Sequence, residues 1–137
     1  MVRLCPVLLY CSAAMFKVEL GKAANLLTIS YYGAVGPEEI IHCEKEVKLL
    51  LGELEPGFRL LTDLTDLESM DLDCLPSIKR MMDFCNKKGV HTVVRVIPDP
   101  KKDIGLNILS LFHYEKRVHI VTCKTLDEAK SVLDHAA

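Results

Sequence analysis

An α/β fold is what this 137-residue chain predicts: a mixed, mostly parallel central sheet, one antiparallel edge strand and about four helices. Three observations carry that expectation. Two short strand-like runs come first, separated only by Gly21 to Asn25. From Pro37 onward, segments of helical period alternate with strand-like ones. Two of those later runs, residues 58–64 and 90–97, are almost continuously apolar, as strands covered on both faces are. Helices and strands in alternation make a parallel sheet with helices packed on it, and the leading hairpin supplies the antiparallel edge.

Each element has its own signal. Residues 16–20 and 26–32 read as the hairpin strands. Tyr32 to Pro37 holds two glycines and a proline and reads as a breaker. Pro37 suits a first helical turn, where Glu38 and Glu39 complement the dipole. Ile40, Cys43, Val47, Leu50, Leu51 and Leu54 then recur at helical spacing, until Pro56 and Gly57 stop the helix. After the buried strand at 58–64, residues 65–73 read as an acidic loop. It leads into a helix with Leu75, Ile78, Met81, Met82 and Cys85 on one face and Gly89 as its stop. The buried strand at 90–97 ends at Pro98 and Pro100. Residues 103–113 predict a further helix, weakened by Gly105. Residues 118–122 predict a last strand, and Thr125 with Glu128 forms a capping box that opens a final helix through Leu133.

The first fourteen residues stand apart. One basic residue, a short apolar run and small residues give a faint likeness to an export signal, but the run is too short to cross a membrane. We expect residues 1–14 to be an extension or a mis-assigned start, with one domain over residues 15–137. A net charge of −2 leaves no electrostatic footprint for nucleic acid or an anionic membrane. Four Phe, four Tyr and no Trp leave little for a base-stacking platform. The six cysteines include no Cys-x-x-Cys pair and the chain is core-rich, so reduced thiols and a cytoplasmic location are expected.

Residues 60–75 run Leu-Leu-Thr-Asp-Leu-Thr-Asp-Leu-Glu-Ser-Met-Asp-Leu-Asp-Cys-Leu, and a helix, Lys87-Lys-Gly89 and a Val-rich strand follow. This stretch resembles the core of STAS domains, found in bacterial anti-sigma-factor antagonists and in sulfate-transporter tails. The order of elements over roughly residues 15 to 135 is similar too. A divergent STAS-like branch, related to the lipid-binding CRAL-TRIO fold, is more similar still in its hairpin and long helices. The resemblance implies a regulatory module that recognises a protein partner. Members of the family carry Asp-Ser-Ser-Gly at this helix start, with one serine phosphorylated by a partner kinase. Aligned on Met70 and Asp71, Leu72 and Asp73 stand where the serines would be and Cys74 replaces the glycine. Only the aspartate is kept, and Asp73 would act as a permanent negative charge.

Beside this, the residues themselves offer several candidates. Asp63, Asp66, Glu68, Asp71 and Asp73 have the oxygens a Mg²⁺ site needs, but Asp71 at a helix start is a natural N-cap and the others suit solvated turns. No phosphate-binding glycine loop accompanies them, and we expect no metal and no cofactor. Cys74 sits in a first helical turn, which favours thiolate, while Asp71 and Asp73 oppose it; a structural thiol is the better reading. His91 and His119 fall on strands where they would face each other across the sheet. If the strands are parallel, Tyr32, Asp63, Asp71, Asp73, Asp99 and Lys101 gather around one crevice at their carboxyl ends. Leu106, Ile108, Leu109, Leu111 and Phe112 make one helix apolar nearly all round, suited to a core, a homodimer contact or a lid.

The expected function is therefore non-enzymatic: a regulatory or binding module that meets a protein partner through Asp71, Leu72, Asp73, Cys74 and Ser77, flanked by Tyr32, Asp63, Asp99 and Lys101. The alternative is a carrier of a small apolar ligand gated by the helix at residues 104–112.

Overall fold

The computed structural model describes residues 15–103, 109–110 and 113–135. Five strands form one sheet in the order β1-β2-β3-β4-β5. They are β1 (Phe16–Gly21), β2 (Leu26–Val35), β3 (Arg59–Met70), β4 (Thr92–Val96) and β5 (His119–Cys123). The β1–β2 pair is antiparallel and every other pair is parallel, as the leading hairpin and the later alternation predict. Three α-helices stand among the described residues: α1 (Pro37–Leu51), α2 (Leu75–Lys88) and α3 (Leu126–His135). About four were expected. The remaining one, over 103–113, falls mostly outside the described residues, as do residues 1–14.

Side-chain alternation divides the core into two layers. Leu27, Ile29 and Tyr31 of β2, with Leu60 and Leu64 of β3 and Val93 of β4, meet α1 and α2 on one face. Leu61, Val94, Val96 and Cys123 meet Ala129 and Leu133 of α3 on the other. All five residues of β4 are buried, which accounts for its valine-rich sequence. Even Arg95 is 2 % exposed, its guanidinium donating to Ser110 Oγ at 2.6 Å.

Two of the stop and start signals read from sequence hold, although α1 already ends at Leu51, ahead of the expected stop at Pro56 and Gly57. Gly89 closes α2 at φ 98°, a left-handed turn that costs glycine nothing, and Val90 N donates back to Cys85 O at 3.1 Å. Glu128 Oε1 accepts from Thr125 N at 3.1 Å and Glu128 N donates to Thr125 Oγ1 at 3.1 Å, the reciprocal capping box of α3.

Two expectations fail together. The breaker at Tyr32 to Pro37 and the acidic loop at 65–73 are both largely strand, since β2 runs to Val35 and β3 to Met70. Tyr32 pairs with Asp66, Gly33 with Leu67, Ala34 with Ser69 and Val35 with Met70. Register slips after Ser30 and after Gly33, so β3 spends seven steps (Asp63 to Met70) against five on β2 (Ser30 to Val35). The two extra residues are bulges, which bend a strand and break its alternation. Gly33, at φ 60°, supplies the left-handed backbone beside the second slip. β4 pairs with β3 only as far as Asp63, so beyond that point β2 and β3 continue as a ribbon past β4's paired end.

Candidate functional site

The end of this ribbon is the best-defined polar feature of the molecule. Asp71 N donates to Val35 O at 3.0 Å, tying the strand end to β2. One turn of 3-10 helix, Leu72–Cys74, follows, and α2 begins directly after it. Asp71 Oδ1 accepts from Asp73 N at 2.8 Å, and Asp71 O accepts from Cys74 N at 2.9 Å. The predicted N-cap is thus real, though it caps the short turn rather than α2 itself. Replacing it removes a partner for an otherwise open backbone donor. Asp71→Ala is expected to lower stability by about 1 kcal/mol, read as a shift of the denaturant midpoint at constant slope.

The neighbouring side chains divide sharply. Leu72 is 74 % exposed, whereas Cys74 has no exposed surface and Ser77 is 3 % exposed. Cys74 Sγ lies 3.7 Å from Val35 O, inside the core between ribbon and helix. Burial, and then the nearby Asp71 carboxylate, push its thiol above the ordinary range, so it stays protonated at neutral pH and is a poor nucleophile. Native Cys74 is expected to alkylate with iodoacetamide only as fast as the protein opens, and at an ordinary thiol rate once denaturant exposes it.

Two further contacts hold the tip against α1. Glu39 Oε1 accepts from Gly36 N at 2.7 Å, ordering the first turn of α1 beside the ribbon end. Arg80 of α2 grips Glu44 of α1 with both ends of its fork, at 2.7 and 3.0 Å, and also donates to Ser77 Oγ at 3.1 Å. The Arg80 bond holds the Glu44 carboxyl below its usual value. A depressed carboxyl pKa adds stability that is fully present above the unfolded value and is lost as pH falls through the folded one. Arg80→Ala is therefore expected to be less stable than the native chain at pH 7, with the two melting temperatures converging below about pH 4. The Gly36 to Glu39 spacing is visible in the sequence as half a capping box. The Glu44–Arg80 pair, 36 residues apart, has no local signal.

The crevice expected around six residues does not form. Ser30 to Val35 is five strand steps, which sets Asp63 and Met70 roughly 17 Å apart along the ribbon. Asp63 stands at the other end of that span, opposite Val96, and its Oδ1 accepts from Thr65 N at 3.0 Å. Asp99 and Lys101 follow β4, where Asp99 Oδ1 accepts from Lys101 N at 3.0 Å. Tyr32 lies midway, opposite Asp66. The structure thus brings together Asp71, Leu72, Asp73, Cys74 and Ser77, and leaves Asp63, Asp99 and Lys101 nearer the body of the sheet. Among the described residues no group of three His, Cys, Asp or Glu side chains is placed to hold a metal ion.

One cavity lies under α2, lined chiefly by Ile29, Tyr31, Leu64, Met81, Arg95 and Tyr114. At about 40 Å³ it has room for a water molecule or two. Pockets for small organic ligands run to roughly 300–1,000 Å³. The gate expected at residues 104–112 lies mostly outside the described residues.

No family model matches the chain, and no curated protein sequence matches it. Solved structures do. An uncharacterised DUF3478 protein from Shewanella loihica with a SpoIIAA-like fold superposes with a TM-score of 0.64 at 14 % identity, over 86 % of this chain and 91 % of that one. The anti-sigma factor antagonist SpoIIAA in its unphosphorylated form gives 0.60 at 14 % identity, over 87 % and 97 %. A chain in the complex of the diguanylate cyclase SiaD with its activator SiaC, from Pseudomonas aeruginosa, gives 0.53 at 12 % identity, over 80 % and 93 %. The chain has a STAS-like fold of the SpoIIAA type. No helix among the described residues is long and apolar enough to cross a membrane.

Proposed function

We propose that this protein is a non-enzymatic regulatory module that binds a protein partner through the ribbon tip. The carrying observation is Leu72, 74 % exposed on a turn whose backbone is fixed by Asp71 and whose neighbours Cys74 and Ser77 are buried. A rigidly presented leucine between two carboxylates, Asp71 and Asp73, suits an apolar pocket with a basic rim. Pre-ordering lowers the entropy a partner must overcome on binding. Tyr32 lies along the same ribbon, while Asp63, Asp99 and Lys101 stand back towards the body of the sheet and take no direct part in this surface. Cys74 and Ser77 support it from beneath and would not touch the partner. The anti-sigma-factor-antagonist fold and the SiaD–SiaC complex support a protein-binding role.

In this reading Asp73 supplies constant charge where the STAS motif has a serine, so binding needs no kinase. The module works in the cytoplasm. Asp73→Lys reverses the charge at an exposed position and leaves the Asp71 cap in place. The expected outcome is loss of the complex recovered with the tagged native protein, and a native complex that weakens as salt rises. Equal recovery with Asp73→Lys would count against the tip.

A further inference from the structure

We infer that His91 and His119 form a chelating pair for a borderline divalent metal ion, Zn²⁺ or Ni²⁺, at the amino end of the sheet, the end opposite the Leu72 tip. His91 immediately precedes β4 and His119 opens β5, and His119 N donates to His91 O at 2.9 Å. Both residues are exposed to solvent. Their ring centres stand 5.2 Å apart with the planes tilted by 44°. Two imidazoles that share a tetrahedral ion at about 2.0–2.1 Å per nitrogen, with a ring radius of roughly 1.1 Å, have centres about 5 Å apart. The adjacent strands therefore hold the rings at a chelating separation with no ion needed to draw them together.

The hydrogen bonds fit that role. His91 Nδ1 lies 2.7 Å from Thr92 Oγ1, which engages that nitrogen and leaves Nε2 for an ion, as the outer-shell partners of metal-binding histidines do. The pair opens onto a surface groove of about 580 Å³, whose other wall is the last turns of α3, including Ser131, Val132 and His135. An ion can thus enter without any rearrangement of the fold. His135 Nδ1 donates to Ser131 O at 2.7 Å. Its ring lines the groove but completes no three-residue set, since none exists among the described residues. The pair supplies two ligands, and water or a group brought by a partner fills the remaining positions. Imidazole coordinates N-preferring metals, so Mg²⁺, which wants oxygen, is excluded.

Titration of the full chain with Ni²⁺ while observing the histidine ring NMR signals tests this directly. The His91 and His119 resonances are expected to broaden first, at one equivalent, with His42 on α1 and His113 unaffected. Calorimetric titration with Zn²⁺ is expected to give one site, weakened roughly tenfold or more in His91→Gln and in His119→Gln and unchanged in His42→Gln. Uniform broadening of all the histidines, or an unaltered affinity in both single variants, would overturn the proposal. All three variants are at exposed positions, so the chain folds in each; retained melting transitions confirm it.

Discussion

Leu67→Ala is expected to destabilise the chain by about 2–5 kcal/mol, while Asp66→Ala and Glu68→Ala on either side change stability by less than about 0.5 kcal/mol. Leu67 is 1 % exposed and belongs to the main core cluster, whereas Asp66 and Glu68 face solvent. The contrast follows from residues 65–70 being strand. In a solvated loop all three changes would be mild, and in this ribbon only the central one opens a cavity. Equilibrium denaturation of the three variants decides it, and three equal small shifts would contradict the bulged ribbon. The same substitution removes the side chain that anchors the ribbon, so Leu67→Ala should also weaken whatever the tip binds.

That segment also shows how far the sequence could be read. The hairpin, the all-buried β4, the Gly89 stop and the Thr125–Glu128 box each rest on local chemistry, and each was legible. Thr65, Asp66, Leu67, Glu68 and Ser69 imitate a turn because bulges put polar neighbours side by side on the strand. Tyr32 to Pro37 imitates a chain break for the matching reason: Gly33 accommodates the bulge of the partner strand. The site divided along the same line. Asp71 as a cap and Cys74 as a structural thiol follow from residue type and position. The single crevice assumed that all strands end level, and β3 outruns β4 by seven residues. The Arg80–Glu44 clamp depends on how two helices pack, which no local pattern encodes.

Leu72→Lys is expected to weaken the partner complex about 10- to 100-fold while leaving the melting temperature unchanged. Burying a leucine that is three-quarters exposed contributes about 1.5–3 kcal/mol to an interface, and lysine forfeits most of that. Because the side chain makes no core contact in the free protein, stability should not follow affinity. Leu72→Met, which keeps volume and hydrophobicity, should retain most of the binding. An affinity change that appears only together with a fall in melting temperature would assign Leu72 a structural role instead.

The most direct measurement places a photoreactive amino acid at position 72 and, separately, at position 49, and records cross-linked products in living cells. Leu49 is 76 % exposed on α1, so the two positions match in chemistry and accessibility and differ in whether they lie on the ribbon tip. A discrete protein adduct from position 72, absent from position 49 and suppressed by Asp73→Lys, is the predicted result. The same adducts from both positions, or none from position 72, would contradict the tip as the partner-binding surface.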